Sequence, residues 1–124
     1  MKLDHIFLQP QDIERMKKFL VDVFSFELCD RPPFNFPGYW LGKNNTPLFH
    51  LAPGSGQIEN TGVIGHIAIS VEQAEDLLTA LEREDVSYQV TQLPGQLVKQ
   101  VFFQGPEGLT IEAVIYNHSA ISPT

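Results

Sequence analysis

Leu3-Asp4-His5-Ile6-Phe7-Leu8 returns 61 positions later as Ile64-Gly65-His66-Ile67-Ala68-Ile69. Each copy sets a histidine in a short apolar run, and the same order of patterns follows each one. Apolar residues recur at helical spacing in Ile13, Met16, Leu20 and Val23, then again in Ala74, Leu77, Leu78 and Leu81. Pro10 stands near the start of the first helix, where its missing N–H is harmless. Ser70 and Gln73 read as a capping box opening the second. Strand-like runs follow each helix, at 26–29, 39–42 and 47–52 in the first half and at 87–92, 97–104 and 109–116 in the second. Turn residues separate them: Pro32-Pro33, Pro37-Gly38, Lys43-Asn44-Asn45, Pro94-Gly95 and Gly105-Pro106-Glu107-Gly108. Both halves read as strand–helix–strand–strand–strand, so the expected fold is α+β, built from two βαβββ modules in tandem.

Module 1 spans about 1–53 and module 2 about 63–116. Between them, 54–62 is a linker rich in Gly, Ser and Asn, and 117–124 is a frayed tail. A module of about 55 residues makes a marginal core alone, so one domain over residues 1–124 is expected.

Composition narrows the function. Apolar residues make up 43% of the 124-residue chain and charged residues 19%, a balance typical of globular proteins. The formal net charge of −7 disfavours nucleic acid and anionic membranes as partners. It leaves small-molecule substrates open, because a bound divalent cation reverses the local field. No apolar stretch is long enough to span a bilayer, and Met1–His5 lacks the character of a signal peptide. Cys29 is the only cysteine, which excludes an intrachain disulfide and suits a cytoplasmic setting.

The repeat also aligns residues with ligand chemistry. His5 and His66 fall on the first strand of each half, His50 and Glu112 on the last. His50 follows His5 by 45 positions, and Glu112 follows His66 by 46. Strand alternation puts Thr110, Glu112 and Val114 on one face and Leu109, Ile111 and Ala113 on the other. Amid such neighbours an unpaired carboxylate is costly. A strand histidine taken alone is more often a hydrogen-bonded core residue than a ligand. Three of them at repeat-related positions, with a carboxylate, are most simply satisfied by one shared divalent metal ion. Imidazole and carboxylate suit Zn, Ni, Fe or Mn, whereas oxygen-only ligation would suit Ca or Mg. The fourth histidine, His118, stands in the polar tail and is expected to face solvent. Glu112, the only carboxylate in the set, is also the candidate general base. Phe7, Trp40, Lys99 and Phe102 are candidate lining residues of a substrate pocket, with Tyr39 and Lys43 close by in the pattern. Arg31, before a Pro-Pro turn, is expected to be solvated, and Cys29 is not expected to act as a nucleophile.

These residues resemble the vicinal oxygen chelate superfamily, which includes glyoxalase I, bleomycin resistance proteins and extradiol dioxygenases. The likeness runs from Leu3 to about Tyr116. It is carried by Leu3-Asp4-His5, by Gly65-His66-Ile67-Ala68-Ile69-Ser70-Val71 and by Gly105-Pro106-Glu107-Gly108-Leu109-Thr110-Ile111-Glu112. The run from Arg31 to Leu41, leading to His50-Leu51, is similar to one in small glyoxalase-like proteins. The resemblance implies an open cup of mixed β-sheet with helices outside, a metal held by His5, His50, His66 and Glu112, and a homodimer. It implies a glyoxalase I-like lyase or isomerase acting on a small oxygenated substrate. Alternatives are an extradiol-type Fe(II) dioxygenase, a thiol transferase for antibiotic resistance, and a metal-free drug-sequestering protein. Two departures stand out. Val23-Phe24-Ser25-Phe26 replaces the family's usual leucine-glycine-phenylalanine, and His50 stands where glyoxalase I carries a glutamate.

Overall fold

The structure, a computed structural model, describes residues 3–54, 64, 66–92 and 98–116. Most of the expected linker, Gly65, Pro94-Gly95, Leu97 and the tail with His118 lie outside the described residues. The elements in order are β1 (Ile6–Leu8), α1 (Ile13–Phe24), β2 (Glu27–Leu28), β3 (Tyr39–Lys43) and β4 (Thr46–Leu51), then β5 (Ile67–Ser70), α2 (Ala74–Arg83), β6 (Tyr88–Gln92), β7 (Val98–Gln104), a 3-10 turn (Pro106–Gly108) and β8 (Thr110–Tyr116). Two compact units divide the chain, Met1–Ile58 and Glu59–Thr124.

Each unit holds one four-stranded mixed sheet and one helix. The first sheet runs β1-β4-β3-β2 and the second β5-β8-β7-β6. In both, the first strand lies parallel to the last, and the remaining pairs are antiparallel. Identical strand order in two successive units is the expected βαβββ duplication, and the fold is α+β.

The helices form because their apolar residues fall on one stripe. Met16, Leu20 and Val23 of α1 are buried, as are Leu77, Ala80 and Leu81 of α2. The sheet residues that complete each core alternate along the strands. They are Leu41, Phe49 and Leu51 in the first unit and Val101, Phe103, Ile111, Ala113 and Ile115 in the second. Burying a leucine side chain fully stabilises by about 1.5–3 kcal/mol, and Leu20, Leu41 and Leu81 are all 0% exposed. No helix among the described residues is long and apolar enough to cross a membrane.

Three local expectations change. Asp12 caps α1 by accepting from the Arg15 N–H at 3.0 Å, so Pro10 lies outside the helix rather than in its first turn. The capping box at Ser70 is absent. Ser70 pairs with Val114 as the last residue of β5, and Gln73 takes the N-cap position without a side-chain bond. His5 and His66 stand one residue before β1 and β5 rather than within them.

Candidate metal centre

In the first unit, β-pairing gathers aromatic rings around His50. The β1–β4 register sets Phe7 opposite His50, and the β3–β4 register sets Trp40 opposite it from the other neighbour. Trp40 stacks on the His50 ring with centroids 4.0 Å apart and planes 6° from parallel. His5 stacks on it as well, at 3.8 Å and 12°. The three rings form one stack with His50 at its centre. His5 Nδ1 lies 2.7 Å from the Asp4 carboxylate. A carboxylate only accepts, so Nδ1 carries the proton and Nε2 keeps a free lone pair in the neutral ring. Loss of solvent, and then the adjacent His5, push the His50 pKa below the ordinary histidine range, while Asp4 opposes this. Both effects favour the neutral His50 imidazole, the form that ligates metal.

In the second unit, His66 Nε2 lies 3.1 Å from Glu112 Oε1, and Gln100 Nε2 donates to the other carboxylate oxygen at 3.1 Å. Glu112 is only 8% exposed, the one charged residue that is buried among the described residues. Its direct partners across the sheet are Ala68 on β5 and Phe102 on β7. Phe102 meets the His66 ring edge-on at 6.0 Å and also lines an open groove of about 640 Å³ with Val86, Tyr88 and Gln104.

The structure therefore brings His5 to His50 and His66 to Glu112. Among the described residues, no group of three or more His, Cys, Asp or Glu side chains lies close enough together to hold a metal. Of the expected lining residues, Phe7 is 55% exposed, and Trp40 and Phe102 stand against the histidines. Lys99 pairs with Ile115, so alternation puts it on the sheet face away from Glu112 and Phe102. Tyr39 turns the other way from Trp40: its hydroxyl donates to Glu14 of α1, and Lys17 lies over its ring. Lys43 donates to the Ser25 carbonyl at the end of α1. Arg31 is not simply solvated. Its guanidinium lies 5.0 Å from both the Phe34 and Phe36 rings and donates to the Phe36 carbonyl. Burial, then Glu27 and Asp30, push the Cys29 thiol pKa up, away from the nucleophilic thiolate.

Two residues at the site had been missed from sequence. Asp4 was foreshadowed by its place beside His5, since a carboxylate next to an imidazole is a common orienting pair. Gln100 had no such signal, because only the strand register carries it to Glu112.

Two successive βαβββ units with one strand order define a duplicated α+β class of fold. The chain belongs to the Glyoxalase/Bleomycin resistance protein/Dioxygenase superfamily, which it matches over residues 2–113. A search of curated proteins found no match. Among solved structures, a mutant of the fosfomycin resistance protein FosX from Listeria monocytogenes, complexed with Mn(II) and 1S,2S-dihydroxypropylphosphonic acid, is similar with TM-score 0.74 and 15% identity, covering 98% of this chain and 96% of that one. Glyoxalase I of Leishmania major, which is trypanothione-dependent, is similar with TM-score 0.68 and 22% identity, covering 98% and 91%. A glyoxalase family protein from Bacillus anthracis gives TM-score 0.71 and 16% identity, covering 94% and 95%.

Proposed function

We propose that this chain is a divalent-metal-dependent enzyme of the glyoxalase I-like type, a lyase or isomerase that binds a small oxygenated substrate and moves a proton on it. His5, His50, His66 and Glu112 would hold one ion of Zn, Ni, Fe or Mn. The donor set suits such an ion: three imidazoles and one carboxylate, with no thiolate among them. When bound, the metal would supply Lewis acidity toward neighbouring substrate oxygens.

The observation that carries this reading is how the donors are prepared. Asp4 occupies His5 Nδ1 and leaves Nε2 available, and the Glu112 carboxylate is buried with His66 beside it. A nearly buried carboxylate and a stacked neutral imidazole are expensive as mere decoration. Glu112 is also the candidate base for the proton, being the only carboxylate in the set. Trp40, Phe7 and Phe102 would supply apolar walls that limit water. The FosX complex, which pairs this fold with Mn(II) and a small dihydroxy ligand, supports the same combination here. A thiol transferase acting on an anionic drug would want cationic side chains at the site, but Lys43 is bound at the end of α1 and Lys99 is turned from the Glu112 face. One domain over residues 1–124, a homodimer and a cytoplasmic setting complete the proposal.

Metal analysis of the wild type and of His66→Ala and Glu112→Ala, purified without added metal or chelator, tests it. About one equivalent of Zn, Ni, Fe or Mn per chain, lost in both variants, is the expected result. Iron would rank a dioxygenase above a lyase. A wild type that also refuses added metal would sink the enzyme and leave the sequestering binder.

A further inference from the structure

A row of polar contacts runs across three strands of the second sheet, β6, β7 and β8, and ends on His66 just before β5. Thr91 on β6 donates from Oγ1 to Gln100 Oε1 at 3.0 Å. Gln100 on β7 donates from Nε2 to Glu112 Oε2 at 3.1 Å. The other Glu112 oxygen lies 3.1 Å from His66, just before β5. Thr91 and Gln100 are directly opposed, whereas the direct partner of Gln100 on β8 is Val114, so it reaches Glu112 diagonally. That reach suits a long side chain and no short one.

We propose that Gln100, anchored by Thr91, is a positioning residue that aims the Glu112 carboxylate for metal binding. The proposal rests on the metal reading above. A carboxylate accepts only, so the Gln100 amide must turn its NH2 toward Glu112. Its carbonyl oxygen then points at Thr91, whose hydroxyl can donate to it. The hydroxyl thus selects the one amide orientation that serves the carboxylate. With Oε2 occupied by Gln100, Oε1 is the oxygen left on the His66 side, which sets the carboxylate up to ligate through one oxygen. A fixed second partner also lowers the cost of leaving Glu112 largely desolvated.

The duplication makes Gln100 stand out further. Its counterpart 62 positions earlier is Gly38, where a Cβ would come within 2.4 Å of the Leu51 carbonyl oxygen. No side chain can take the Gln100 role there without a backbone shift. At the next equivalent pair, Trp40 and Phe102, both units keep an aromatic ring against a histidine. The first unit therefore holds its donors by ring stacking, and the second holds its carboxylate with an amide.

The test is the affinity of the full chain for Zn(II), by competition with a chromophoric chelator, and for Mn(II), by electron paramagnetic resonance of the free ion. Gln100→Met keeps length and volume but removes the donor, and is expected to weaken binding about 10–100-fold. Thr91→Val is expected to give a smaller loss, because Gln100 remains but its amide is free to turn. Thermal unfolding of the metal-free proteins should stay near wild type in Thr91→Val and fall by only the few degrees that one lost hydrogen bond to Glu112 costs in Gln100→Met, which a merely space-filling role would not combine with lost affinity. If Gln100→Met fails to fold, Thr91→Val decides. Wild-type affinity in the folded variants would overturn the proposal and leave the metal site standing. A wild type that binds neither ion overturns both.

Discussion

Asp4 and His5 are neighbours in the chain, yet their pairing matters through the ring atom it leaves free. With Nδ1 held at 2.7 Å by the Asp4 carboxylate, the neutral His5 ring has one tautomer, and its Nε2 lone pair is the available donor. Asp4→Ala is expected to lower Zn(II) affinity about 10-fold without removing a ligand, as loss of an outer-shell partner commonly does. Equal affinity in the variant and the wild type would show that Asp4 does not orient the ring. The candidate donors were legible residue by residue, because histidine and glutamate are conspicuous inside apolar strands. Gln100 and Thr91 were not, since polar residues on an open sheet face look like ordinary solvated positions until the register of β6, β7 and β8 aligns them.

Among the elements, the end of α1 explains a departure from the family pattern. Ser25 sits at φ 60°, ψ 30°, the left-handed conformation that glycine adopts without a Cβ penalty. Its N–H reaches the Val21 carbonyl at 2.9 Å and closes the helix. A serine there is strained by about 1–2 kcal/mol, partly offset because glycine frees the unfolded chain by about 0.4–1 kcal/mol. Ser25→Gly should therefore raise stability by about 0.5–1 kcal/mol in urea unfolding, and a lower midpoint would contradict this account. Pattern located both helices because their apolar stripes are regular. It misplaced the start of α2, because the backbone pairing that keeps Ser70 in the sheet is a long-range bond absent from local chemistry. The Val71 N–H donates to the Val114 carbonyl just past the end of β5 at Ser70.

At the scale of the whole molecule, metal binding and folding should be linked. An ion held by the proposed donors would favour the native state, because residues as far apart in sequence as His66 and Glu112 meet only in the folded chain. At about 100 times its dissociation constant, Zn(II) or Mn(II) should add about 2.7 kcal/mol to the unfolding free energy, and Glu112→Ala should abolish the gain. Denaturant melts with and without metal check this, and an equal gain in the variant would place the ion elsewhere.

Sequence alone determined the α+β duplication, the eight strands and two helices to within a few residues, and the four candidate donors. Those follow from periodicity, turn residues and a repeated histidine, all local or evenly spaced along the chain. Only the tertiary structure decided that His50 lies stacked with Trp40 and His5, that Lys99 faces away from Glu112, and that Gln100 holds the carboxylate. Each of these depends on which residues stand opposite one another across strands, and a shift of one residue in register would send every such side chain to the other face.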